Sequence, residues 1–127
     1  MDMFCYQCQE AARGQGCTTR GVCGKTADVA AMQDALVWLL KGLAYYAVRA
    51  AEEGVSDPRV VRFVDEGLFA TITNANFDPR RFSEMSQRAL ELRAGLRGQF
   101  LAAYQQAHGR PFAQMVPEAA EWQPQRL

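Results

Sequence analysis

Apolar residues recur at helical spacing along three stretches of this chain, and the residues between them predict where each helix starts and stops. Thr26 reads as an N-cap with Asp28 in the first turn, and Gly54 follows the last periodic residue. Between them Val29, Met32, Leu36, Leu39, Leu40, Leu43, Ala47, Val48 and Ala51 predict the inward face of a long helix over 26–53, the spine of the core. Gly42 inside that helix costs about 1 kcal/mol relative to alanine, and reads either as a close crossing with another helix or as a tolerated lapse. The adjacent aromatics Tyr45 and Tyr46 read as packing.

Asp57-Pro58 and Asp78-Pro79 then repeat one device. Aspartate as N-cap before proline at the first helical position is a start signal, because proline lacks only an N–H that would be unpaired there anyway. The second helix is expected over 58–74 with Val61, Val64, Leu68 and Ile72 inward, ending between Thr73 and Asn76, where asparagine tolerates left-handed geometry. The third is expected over 79–108, with Phe82, Met85, Ala89, Leu92, Leu96 and Phe100 inward and Gly109 as the stop. Short connections between three helices predict an all-α, three-helix antiparallel bundle over 26–109. From Arg110 the prolines 111, 117 and 124 and glutamines 114, 123 and 125 predict an extended tail or linker over 110–127. Phe112, Met115, Val116 and Trp122 are expected to anchor parts of it on apolar surface.

Bulk properties narrow the function classes. At 127 residues the chain has the length of about one domain, with a single modest core. Lys plus Arg and Asp plus Glu stand at 14 each, which argues against a nucleic-acid partner or an anionic membrane surface. The N-terminal residues form no apolar run that could act as a signal, and no later segment is apolar enough to span a bilayer. A cytoplasmic protein with reduced thiols is the expectation.

All four cysteines fall before the first helix, as Cys5, Cys8, Cys17 and Cys23, a C-x2-C-x8-C-x5-C spacing within a loop over 1–25. A C-x2-C pair on a tight turn aims two sulfurs at one centre, and a later pair returning by a loop closes a four-thiolate site for zinc or an iron-sulfur cluster. Gly14, Gly16, Gly21 and Gly24 let backbone N–H groups approach sulfur, and Arg13, Arg20 and Lys25 outnumber Asp2 and Glu10, which favours an anionic cluster over zinc. A zinc knuckle and two disulfides remain as alternatives. The bundle offers little chemistry beside this. Glu52-Glu53, Asp65-Glu66 and Glu84 read as solvated faces, and the sole histidine, His108, reads as a helix-end cation. No catalytic acid, base or nucleophile stands out.

Met3-Phe4-Cys5-Tyr6-Gln7-Cys8-Gln9-Glu10, Gly16-Cys17-Thr18 and Gly21-Val22-Cys23-Gly24-Lys25 together resemble the N-terminus of the hybrid cluster protein family, also called prismane proteins or hydroxylamine reductases. The likeness continues through Leu36 to Ala44 and Ala107-His108-Gly109-Arg110-Pro111-Phe112, and so covers essentially the whole chain. It implies that Cys5, Cys8, Cys17 and Cys23 ligate a 4Fe-4S cubane, the cluster of members with short spacing; members with longer intervals carry a 2Fe-2S cluster. It further implies electron transfer from a redox donor protein toward reduction of hydroxylamine or nitric oxide. The family's second, hybrid cluster takes its ligands from downstream α/β domains that this sequence does not contain. The chain is therefore expected to be an electron-transfer module without catalysis of its own, exposing apolar surface where the missing domains docked and tending to self-associate. A zinc-stapled structural or binding domain and a free-standing ferredoxin-like carrier are the competing functions.

Overall fold

The computed structural model describes residues 3–8, 10–73 and 78–125. The fold is all-α: α1 (Ala27–Glu52), α2 (Pro58–Ile72), α3 (Pro79–His108) and a single helical turn, α4 (Glu118–Glu121). The start signals act as expected. Thr26 Oγ1 accepts from the Val29 N–H, while Asp57 and Asp78 each accept from the N–H two residues on, at 2.9 and 3.0 Å. α3 stops at Gly109, which is left-handed and donates its N–H to Gln105 O. α2 ends at Ile72; Asn74 and Asn76, like Asp2, Gln9 and Leu127, lie outside the described residues.

α1 is the spine, with α3 packed along it far more extensively than α2. His108, the last residue of α3, meets Glu53 just beyond α1 with Nε2 3.0 Å from Oε1, so these two helices end together. α2 runs back between them in sequence and sets Gly67 against Leu40. Glu53 is thus half-enclosed by its histidine partner instead of belonging to a solvated face.

α3 buries the face its spacing predicts: Phe82, Met85, Ala89, Leu92, Leu96 and Phe100. α1 keeps the predicted face through Leu43 and then departs from it, burying Tyr46 and Ala50 while Val48 and Ala51 are exposed. The cause is Phe100, whose ring centroid lies 6.3 Å from that of Tyr46 and draws the aromatic inward. α2 departs more. Val60, Gly67, Ala70 and Thr71 are buried, Val64 is partly so, and Val61, Leu68 and Ile72 face outward. Small side chains let α2 sit close to α1, so its largest apolar residues are not its contact face.

The tail folds back onto the bundle. Phe112 packs edge-on against Phe100 and Tyr104, at 4.9 and 5.2 Å between centroids, beneath the Arg49 guanidinium. Met115, expected as an anchor, is 96% exposed. α4 then buries Ala119 and Ala120 against α1 at Gly42, where a Cβ would overlap the Ala119 carbonyl. Gly42 therefore marks a close crossing, with the tail's own turn of helix.

Gly98 in α3 differs from Gly42, because a Cβ there meets nothing within 4 Å. Gly98→Ala is expected to stabilise the protein by about 0.5–1 kcal/mol, through lower entropy of the unfolded chain. Thermal melting checks this, and an unchanged or lowered Tm counts against it.

Candidate metal centre

The loop before α1 is tied together by its backbone. Cys5 and Cys17 face each other as an antiparallel pair, with Cys5 N–H to Cys17 O at 2.9 Å and Cys17 N–H to Cys5 O at 2.7 Å, and the Met3 N–H to Thr18 O bond extends the pairing. One 3-10 turn, Ala12–Gly14, turns the chain back between them. A second tight turn, closed by Gly21 N–H to Lys25 O and Gly24 N–H to Gly21 O, carries Cys23. Glycine is needed at position 21 for closeness: a Cβ there would lie 2.9 Å from the Lys25 Cβ and 3.2 Å from Cys23 Sγ.

These turns bring all four cysteines to the wall of one small recess, whose remaining wall includes Gln7, Lys25, Thr71 and Ile72. Cys17 lies at its base and is 5% exposed, Cys5 is intermediate, and Cys8 and Cys23 are at the open rim. All four are free thiols, so the disulfide alternative is not the arrangement found. Among the described residues no three His, Cys, Asp or Glu side chains are gathered tightly enough to hold a single metal ion.

Donors point at two of the sulfurs. The Ala12 N–H reaches Cys17 Sγ at 3.4 Å, and Lys25 Nζ reaches Cys5 Sγ at 3.2 Å. The Ala12 bond, then that of the Val22 N–H, holds the Cys17 thiol below its ordinary range; partial burial opposes this and Lys25 adds to it. Lys25 also donates to Gln7 Oε1 at 3.1 Å. Arg13 and Arg20, read from the sequence as helpers of equal standing, are exposed; of the three cations Lys25 alone reaches a sulfur among the described residues.

Sequence reasoning missed Gln7 and Thr71 as a pair. Gln7 Nε2 donates to Thr71 Oγ1 at 3.0 Å and ties the cysteine loop to the end of α2. The signal was faint, a lone hydroxyl on a helix otherwise read by its apolar stripe. His108 lies at the other end of α1, whose 26 residues span about 39 Å, and takes no part in the recess.

Four thiols on one recess, with a backbone N–H on one sulfur and an ammonium on another, are donor chemistry compatible with an anionic thiolate cluster. Residues 3–125 match the Prismane/CO dehydrogenase family. The chain is 56% identical over 120 residues to a hydroxylamine reductase of Thermosipho melanesiensis, covering 94% of this chain and 22% of the relative. It is 52% identical over 122 residues to that of Halothermothrix orenii, covering 96% and 22%, and 48% identical over 120 residues to that of Nitratidesulfovibrio vulgaris, covering 94% and 22%. The chain thus spans about a fifth of the length of these relatives.

Proposed function

This chain belongs to the Prismane/CO dehydrogenase family, and on that premise we propose that it is the iron-sulfur electron-transfer module of a hydroxylamine reductase, with Cys5, Cys8, Cys17 and Cys23 as ligands of a 4Fe-4S cluster. The observation that carries the reading is the single recess walled by all four thiols. When bound, such a cluster supplies a one-electron donor and acceptor. The protein's own residues do the rest. The Cys5–Cys17 backbone pair sets two ligands at a fixed separation, the Ala12 N–H and Lys25 compensate thiolate charge, and the exposed Cys8 and Cys23 keep one side of the site within reach of a redox donor protein.

Hydroxylamine, or nitric oxide, would be reduced in the part of such enzymes that lies beyond the matched region. This chain devotes its four cysteines to one site and its sole histidine to Glu53, so no catalytic residue is assigned within it. The outward face of α2, with Val61, Leu68, Phe69 and Ile72 exposed, suits docking of that further part, and self-association when it is absent. A reducing compartment such as the cytoplasm suits four free thiols. No helix among the described residues is long and apolar enough to cross a membrane.

Anaerobic reconstitution with iron and sulfide, followed by metal counts and EPR before and after dithionite, tests the proposal. About four iron per chain and a signal on reduction are expected for the cubane. About two iron would mean a 2Fe-2S centre, and one zinc with no stable iron would make the chain a structural module.

A further inference from the structure

Lys25 is 3% exposed, an unusual setting for an ammonium, which costs several kcal/mol to bury unless it is paired. Its partners are Cys5 Sγ at 3.2 Å and Gln7 Oε1 at 3.1 Å. No carboxylate forms an ion pair with it among the described residues. Asp34 is close enough for the Lys25 charge to pull its carboxyl down, against a larger upward push from burial, but makes no salt bridge. The sulfur this ammonium reaches is Cys5 Sγ, which itself lies 3.7 Å from Gln7 Oε1.

The second partner is itself held. Thr71 Oγ1 gives its proton to Leu68 O at 2.8 Å, so it can only accept from Gln7, and the Gln7 amide must turn its nitrogen to Thr71 and its oxygen to Lys25. A chain of four hydrogen bonds thus runs from the α2 backbone through Thr71, Gln7 and Lys25 to a cysteine sulfur.

We propose that Lys25, positioned by Gln7 and Thr71, sets the reduction potential of the centre held by the four cysteines, raising it by stabilising the more negative, reduced state. The inference rests on the iron-sulfur reading above. One electron is added on reduction, from dithionite in the test below; no bond at Lys25 forms or breaks and no proton leaves it. The fixed positive charge lies inside the recess, where screening by solvent is weak. Arg13 and Arg20, out in water, contribute far less.

The experiment is an EPR-monitored potential titration of anaerobically reconstituted wild type, Lys25→Met, Lys25→Gln and Thr71→Val, each checked first for iron and sulfide. Lys25→Met is expected to retain iron and to lower the reduced-to-oxidised ratio at a fixed potential about tenfold, a midpoint about 59 mV more negative for one electron. Lys25→Gln, a donor without charge, should shift nearly as far, and Thr71→Val, which frees Gln7 but keeps the charge, should shift less in the same direction. An unchanged midpoint in iron-replete Lys25→Met overturns the proposal. Should neither Lys25 variant hold iron, Thr71→Val decides, and its wild-type midpoint would overturn it as well. Wild type that takes up no iron at all refutes the iron-sulfur reading and this inference with it, an outcome distinct from a loaded centre of unchanged potential.

Discussion

Cys17→Ser is expected to leave the reconstituted protein with less than about a tenth of the wild-type iron, because a serine hydroxyl is a poor substitute for the thiolate that iron-sulfur clusters require. Cys17 is the sharpest test of the ligand set, being the most buried of the four and the one whose sulfur receives the Ala12 N–H. The substitution is nearly isosteric. It leaves the paired Cys5 and Cys17 backbones untouched, so the helical content and melting of the metal-free protein should match wild type, and lost iron can be assigned to the lost ligand. His108→Ala is the control. It removes a contact to Glu53 at the far end of α1 and should bind iron as wild type does. An unaltered cluster spectrum in Cys17→Ser would sink the assignment of these cysteines.

The second large effect lies in the tail. Arg93→Ala should destabilise the protein by about 3 kcal/mol, since Arg93 is buried and donates to Ala119 O at 3.1 Å and to Trp122 O at 2.7 Å, and bonds to charged groups contribute about 1.5–3 kcal/mol each. Burial lowers the affinity of this guanidinium for its proton, Tyr46 and Glu121 oppose that, and arginine stays charged. α4 is one turn long and cannot hold itself together without such tertiary bonds. Gly42→Ala attacks the same contact from the other side. The propensity gain of about 1 kcal/mol should be outweighed by the overlap with the Ala119 carbonyl. The two substitutions share one contact, so the double variant should cost less than the sum. Urea unfolding measures both, and limited proteolysis between Phe112 and Pro117 should accelerate in each; unchanged cleavage would show that the tail does not depend on Arg93.

Much of this was legible in the residues, and the failures have physical causes. That the four cysteines would share one recess could be foreseen because they lie within one short segment, where turn chemistry dictates proximity. α3 could be read in phase because its large apolar residues occupy one face only. α2 could not, because apolar residues mark two of its faces. Gly67, close against Leu40, is buried together with the small Ala70 and Thr71, while bulkier Leu68, Phe69 and Ile72 stay outside. The phase slip in α1 at Tyr46 has a related origin, since its partner Phe100, itself packed on Phe112, comes from far along the chain. Lys25 among three nearby cations, and Arg93 as the clamp on the tail, were equally hidden: charge is visible in a sequence, but which charge is buried is decided by contacts between distant segments.

The paired backbones of Cys5 and Cys17 bear on how a metal would be captured. In an unstructured peptide, gathering four thiols requires closing every intervening loop at once, and each closure carries an entropic penalty that grows with the logarithm of its length. Here the longest of those separations, from the first pair of cysteines to the third, is already bridged by backbone hydrogen bonds between Cys5 and Cys17. If these cysteines are ligands as proposed, an arriving metal would have only to settle Cys8, three positions from Cys5, and Cys23, held on its own turn beside Lys25. Selectivity for what is captured would then rest on the local reach of those two rim residues, with the remainder of the loop as a template already folded to shape.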